Sequence, residues 1–127
     1  MAKIEKGLLY TEDHEWLKLD GEYGYVGLSD FAQHQLGDIV YIELPEVDDE
    51  FEAGESLGSV ESVKTAADIN TPVGGVVVEV NEDLDAEPEK VNADPYGAWI
   101  VKIKVADSSE ADALMSDEEY EKFSEEA

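Results

Sequence analysis

GESLGSVESVKTAADINTPVG, residues 54–74, is the stretch on which the fold of this chain turns. Lys64 stands at its centre. Gly54 lies ten residues before it and Gly74 ten after, each within a turn-like stretch (Glu52 to Glu55 and Pro72 to Gly75). Between the glycines are two runs of strand length, Ser56 to Ser62 and Thr65 to Thr71. Paired, they put Lys64 at the exposed tip of a β-hairpin. The turn chemistry works against this, because Ser62-Val63-Lys64-Thr65 is not a favoured hairpin turn and Val63 prefers a strand. Of the 71 residues between Lys18 and Lys90, Lys64 is the one lysine or arginine, where the average of 8 in 127 would place about four or five. Composition alone favours an ordinary solvated lysine, and the spacing marks Lys64 out without assigning it a role.

Outward from this hairpin the punctuation stays β-like. His14 to Leu19 and Glu22 to Leu28 flank the hairpin dipeptide Asp20-Gly21. Ser29 to Gly37 reads as a short helix. Ser29 or Asp30 can cap it, Gln33 can reach back to Asp30, and Gly37 can end it in the left-handed conformation. Asp38 to Leu44 alternates, with Ile39, Tyr41 and Glu43 on one face and Val40, Ile42 and Leu44 on the other, and Pro45 stops it. Val76, Val78 and Val80 share a face after Pro72 and Gly74-Gly75. Trp99, Val101, Ile103 and Val105 do the same opposite Lys102 and Lys104. Near the end the period lengthens and predicts short helices at about 109–115 and 117–124. Ser116 and Glu119 form a capping box there, with Met115 and Tyr120 placed as a hydrophobic staple. The expectation is a mainly β chain of one domain, residues 1–127, with the C-terminal helices at about 109–124 packed on it.

Composition narrows the function. The chain carries 33 acidic against 8 basic side chains, a formal charge of -25, with neither arginine nor cysteine. Its field repels phosphate, which argues against nucleic acid and anionic membrane as partners. The charge fits a simply soluble, self-repelling protein or one from a high-salt cytoplasm. The longest run of apolar residues and glycine, Val73 to Val78, is too short to span a bilayer. Met1 to Tyr10 include Glu5 and no small-residue cleavage site, so neither a signal nor a transit peptide is expected. Without cysteine there is no disulfide, thiolate metal site or thiol nucleophile, and redox chemistry would need an added group.

Other constellations are weaker. His14, between Asp13 and Glu15, could serve as a metal or acid/base group, but His34 is distant in sequence and a surface or cap role suits both better. The acidic run Val47 to Glu55 lacks the glycine and final glutamate of an EF-hand. Ser59 and Ser62 have no nucleophile-elbow context, and Gly74-Gly75 leads into a strand rather than a phosphate-binding helix. Trp16 and Trp99 read as core or half-buried strand residues. No catalytic set and no metal site emerges.

A longer pattern reverses the balance on Lys64. His14-Glu15-Trp16, Phe31-Ala32-Gln33, Leu36-Gly37-Asp38 and Ile42-Glu43-Leu44-Pro45 precede Glu61-Ser62-Val63-Lys64. Pro72 to Asn81, Pro88-Glu89, Asn92, Asp94-Pro95-Tyr96 and Trp99 follow it in order. From about Leu8 to the end the chain resembles the H proteins of the glycine cleavage system, which are lipoyl carriers. The resemblance implies a barrel-sandwich hybrid, as in lipoyl and biotinyl carriers, with a short helix near 29–36 and short C-terminal helices. It implies lipoic acid in amide linkage to Lys64, on an attachment turn made by Glu61, Ser62 and Val63. A lysine is a natural post, because its four-carbon stem carries the group away from the surface and acylation removes the ammonium charge.

The same resemblance implies a carrier without catalysis of its own. Its partners would be a glycine decarboxylase (P protein), an aminomethyltransferase (T protein), a dihydrolipoyl dehydrogenase (L protein) and a lipoate ligase or lipoyl transferase. Tethering gives the carried group a high effective concentration at each partner. Glu15 and Asp68 match the positions of a cleft that takes the aminomethyl-loaded arm, where a carboxylate suits a protonated amine; the alternative is two solvated acids. Asp13 and Thr65 depart from the family's common residues beside these sites. The implied location is the cytoplasm, or a mitochondrial matrix if a transit peptide has been removed. Other roles stay open: an H-like relay of lipoyl or octanoyl groups, or an unmodified acidic binding module. A biotin carrier would have methionines where Val63 and Thr65 stand. A 2-oxo acid dehydrogenase lipoyl domain would lack the His-Glu-Trp and Asp-Pro-Tyr segments.

Overall fold

The computed structural model describes residues 3–126. The ends of the expected 1–127 domain, Met1, Ala2 and Ala127, lie outside the described residues. Among the described residues nine strands form two sheets. They are β1 (Leu9–Tyr10), β2 (Glu15–Asp20), β3 (Tyr23–Leu28), β4 (Ile39–Glu43), β5 (Glu50–Phe51), β6 (Ser56–Ser62), β7 (Ala66–Asn70), β8 (Gly75–Val80) and β9 (Val101–Val105). The larger sheet runs β1-β2-β3-β9-β8-β5 and the smaller β4-β6-β7, with every pairing antiparallel. Two unclosed sheets over a shared core, with short helices, make the barrel-sandwich hybrid expected from the sequence. The core draws Leu17, Val26 and Ile103 from the larger sheet and Ile42, Val60 and Ile69 from the smaller.

The hairpin forms, but one residue on from the expected Asp20-Gly21: Asp20 pairs with Tyr23, the two-residue link is Gly21-Glu22, and Gly21 has φ 62°, a conformation glycine adopts without steric cost. Gly27 faces Trp16, where a Cβ would stand 2.5 Å from the indole Cε2, so the ring lies flat across its own hairpin. Helix α1 (Asp30–Leu36) is capped by Ser29, whose hydroxyl accepts the Ala32 N–H at 3.2 Å, while Gln33 donates to Asp30 at 2.9 Å. Gly37 does have positive φ, 77°, but ψ of -154° places it in the mirror-extended region open essentially to glycine alone rather than in the left-handed helical one.

Two expected alternations fail, for one reason. A register shift between Ile39 and Tyr41 inserts Val40 as an extra residue, so Ile39 and Ile42 both point inward while Val40 and Tyr41 both point outward. A second shift, between Val77 and Glu79, leaves Val77 as the buried apolar side chain of β8 in place of the expected Val76, Val78 and Val80 face. Strand β9 keeps its period, with Val101 and Ile103 buried.

At the C-terminal end the expected helix near 109–115 is a 3₁₀ helix, Ser108–Ala113, and the next is α4 (Asp117–Glu126). The capping box forms: Ser116 N–H donates to Glu119 at 3.0 Å and Glu119 N–H to the Ser116 hydroxyl at 3.2 Å. Tyr120 is buried and stacks on Tyr10 with ring centroids 4.3 Å apart. The strands β1 and β5 and two one-turn helices, α2 (Asp83–Ala86) and α3 (Lys90–Ala93), had no sequence signal, because two to four residues cannot display a period. No helix among the described residues is long and apolar enough to cross a membrane.

Candidate functional site

Strands β6 and β7 pair from Ser56↔Asn70 to Glu61↔Ala66, and the chain reverses through Ser62-Val63-Lys64-Thr65. Ser62 explains how so poor a turn sequence closes. Its N–H donates to the Thr65 carbonyl at 2.8 Å, and its hydroxyl accepts the N–H groups of Lys64 (3.2 Å) and Thr65 (3.1 Å). A serine side chain thus takes over turn polar groups that a glycine turn would satisfy through its backbone. Val63 N–H donates to the Asp38 carbonyl at 3.0 Å, which ties the tip to the start of β4. Lys64 is exposed at this tip and takes part in none of the three ion pairs found among the described residues.

The ground under the lysine stem is fixed from below. Asn92 on α3 donates to the Gly37 carbonyl at 2.8 Å and accepts the Ile39 N–H at 2.9 Å, locking the link between α1 and β4. Lys64 Cε lies 2.8 Å from where a Cβ on residue 37 would stand. Gly37 is therefore required by its backbone conformation, while the exposed end of Lys64 can swing clear of a Cβ there.

Beside the hairpin, between α1 and the ends of β2 and β7, is a cleft of about 390 Å³. Leu36 and Val60 line its apolar part, and Glu15, Asp68, Thr65 and His14 its polar part. Glu15 and Asp68, far apart in sequence, thus share one wall system. Their environments differ. Asp68 is exposed, whereas Glu15 is 2 % exposed, which rules out reading it as a solvated acid. The Glu15 carboxylate accepts the Thr11 hydroxyl at 2.8 Å and the Asn70 N–H at 3.0 Å. Burial outweighs those two bonds and pushes its carboxyl up to about 7.

His14 has φ 68°, and its Nδ1 lies 2.8 Å from the Tyr120 hydroxyl, which is 2.8 Å from the Ser29 hydroxyl. Its ring lies 4.4 Å from that of Phe31, and burial lowers its proton affinity. A histidine so placed is a neutral hydrogen-bonding wall, not a surface group. Sequence reading missed these roles of Thr11, Gly37 and Tyr120: Gly37 and Tyr120 act through neighbours distant in sequence, and Thr11, four residues before Glu15, stands in no recognisable motif. The acidic run after Val47 folds onto itself: Asp49 accepts the Glu46 N–H at 2.9 Å and Glu55 the Glu52 N–H at 2.6 Å. Among the described residues no group of three or more histidines and acids is placed to hold a metal ion. A larger groove of about 750 Å³, between β8, α2 and α3, includes no residue of the hairpin tip.

Two unclosed sheets that present one lysine on a pinned hairpin turn define a carrier domain of the lipoyl and biotinyl kind. Comparison with known proteins names the family. The description "Glycine cleavage H-protein" matches residues 8–127, and the chain belongs to that family. It is 52% identical over 123 residues to the glycine cleavage system H protein of Alkaliphilus oremlandii, covering 97% of each chain. To that of Carboxydothermus hydrogenoformans it is 53% identical over 127 residues, covering 99% of this chain and 98% of the relative. The crystal structure of the Mycobacterium marinum H protein superposes with a TM-score of 0.85 at 36% identity, covering 92% of this chain and 95% of that one.

Proposed function

We propose that this chain is a lipoyl carrier of a glycine cleavage system, with the group in amide linkage to Lys64 Nζ. The observation that carries the reading is an exposed lysine on a turn pinned by Ser62, directly beside the cleft that holds Glu15. The residues fit the group. Lys64 offers an aliphatic stem over Gly37, and the adjacent cleft, about 390 Å³ with apolar and acidic walls, falls within the size range of small-ligand sites. When bound, the group supplies the thiol–disulfide chemistry that a chain without cysteine lacks.

The chain's own residues orient and shield. Leu36 and Val60 exclude water from the arm's hydrocarbon, and Glu15 and Asp68 present oxygen acceptors to an amine brought into the cleft. Glu15, with its carboxyl at about 7, ionises when a cation arrives, and the pair gains a charge-assisted hydrogen bond in a sheltered place. The chain carries and does not catalyse. Its partners are the other glycine cleavage components, P, T and L proteins, together with the ligase or transferase that acylates Lys64, and its place of work is the cytoplasm. Intact mass spectrometry after incubation with lipoate ligase, ATP and lipoate tests this. A single lipoyl adduct is expected, absent from Lys64→Ala; an adduct that survives the substitution refutes the assignment.

A further inference from the structure

The bulge in β4 has a consequence at the surface. Val40 and Tyr41 are 51 % and 47 % exposed, and Val63, beside Lys64, is 67 % exposed. These are three of the six large apolar side chains exposed among the described residues, and backbone pairing brings their positions together. Tyr41 pairs across the ladder with Glu61, and Val63 is bonded to Asp38, two residues before Val40. An unbulged strand would have turned one of Val40 and Tyr41 inward. The bulge instead presents both, at the foot of the hairpin that carries the lysine.

Lys64 apart, the charges around this patch are acidic. Asp38, Glu43 and Glu61 surround it, all exposed, and none enters an ion pair among the described residues. The complementary surface is an apolar recess ringed by lysine or arginine. The position of the patch says which partner carries it. An enzyme that acylates Lys64 must bring its reacting centre to Nζ, about 6 Å from the lysine Cα, and so must close over the tip itself. Enzymes that act at the far end of a loaded arm work farther out. We propose that the Val40–Tyr41–Val63 face is the docking surface for the enzyme that acylates Lys64. The proposal rests on Lys64 being the attachment site. In the transfer Nζ forms the C–N amide bond with the carbonyl of an acyl adenylate, the acyl–phosphate bond breaks, AMP leaves, and the ammonium has shed two protons.

The test uses the unmodified full chain with lipoate ligase, ATP and lipoate, reading Kd by calorimetry and initial rate by intact mass. Val40→Ser/Tyr41→Ser should raise both Kd and KM about tenfold and leave the saturating rate within about twofold, the signature of lost docking rather than lost chemistry. Tyr41→Ser alone should move the same way if the pair proves unstable. Glu43→Lys/Glu61→Lys should raise KM and flatten its dependence on salt. Val47→Ser/Val78→Ser, at exposed apolar positions remote from the tip, should match the parent. Parent-like Kd and KM in the patch variants, with the parent acylated at Lys64, would overturn the docking surface alone. So would unchanged ligase kinetics with a raised KM of the glycine decarboxylase for the loaded carrier, since the occupant would then be the decarboxylase. A parent never acylated at Lys64 would overturn the carrier reading and this surface with it.

Discussion

The buried carboxylate of Glu15, at the first position of β2, accepts the backbone N–H of Asn70, the last residue of β7, at 3.0 Å. The bond crosses from the larger sheet to the smaller, so one ionisable group both joins the sheets and floors the cleft beside Lys64. Burial costs its charged form more than the bonds return, which leaves the fold carrying a pH-dependent term at this position.

That term has a definite sign. The Glu15 carboxyl lies at about 7 in the folded protein against an ordinary 4.5. Between those values the folded state binds more protons than the unfolded one, so stability falls as pH rises through the window and stays low above about 7. Glu15→Gln copies the protonated carboxyl, with its amide able to donate to Thr11 and its oxygen to accept from Asn70. Urea unfolding of both proteins from pH 4 to 8 should show the parent losing roughly 3 kcal/mol relative to the variant. Parallel curves would contradict the buried ionising carboxyl.

Gly37→Ala should damage the protein through its backbone, since the exposed end of Lys64 can move aside. Backbone strain at φ 77°, ψ -154° costs about 1–3 kcal/mol, and the new methyl meets Lys64 Cε. Gly54→Ala also has positive φ, 87°, but meets nothing within 4 Å. Both variants should lower the denaturation midpoint, Gly37→Ala by the larger amount, and both should still accept lipoate at Lys64 from lipoate ligase at close to the parent rate.

Ser62→Ala removes the hydroxyl that receives the N–H groups of Lys64 and Thr65. A stability loss of about 1–2 kcal/mol is expected. Amide exchange at Lys64 and Thr65 should quicken, while exchange in β9 at Val101 and Ile103 changes only as far as global stability does. Equal protection at the tip in parent and variant would show that the hydroxyl does not hold the turn.

Tyr120→Phe deletes the hydroxyl shared by His14 and Ser29 while keeping the stack on Tyr10. The loss should be about 1–2 kcal/mol. Burial keeps His14 below its ordinary value. Where the Tyr120 hydroxyl is the donor to Nδ1, that bond favours the neutral ring further, whereas an Nδ1–H donor would leave no such term. In the first case NMR titration of the His14 ring should show its pKa rising in the variant.

How far the sequence could be read depended on where each residue's partner stood. The capping box of Ser116 and Glu119, the cap at Ser29 and the hairpin at Gly21, though displaced by one residue, were all legible, because each closes within four residues on geometry that local chemistry dictates. The bulges at Val40 and Val78 were not, since a run of apolar residues scans as regular whether or not one of them is extra. The tip at Lys64 was visible from spacing, yet the means of closing it lay in the Ser62 hydroxyl, which plain turn preference overlooks.

By itself the chain determined its longer strand segments, its lack of thiol chemistry, its dense negative charge and the prominence of a single lysine between two runs of strand length. Those properties belong to individual residues and near neighbours, so they survive without coordinates. Tertiary structure alone decided that Glu15 is buried while Asp68 is open, that His14 is held by Tyr120, and that Val40 and Tyr41 both face outward beside Val63. Burial and register arise from contacts across two sheets, and the free energy of an ionising or apolar group is set by what surrounds it rather than by its place in the order of residues.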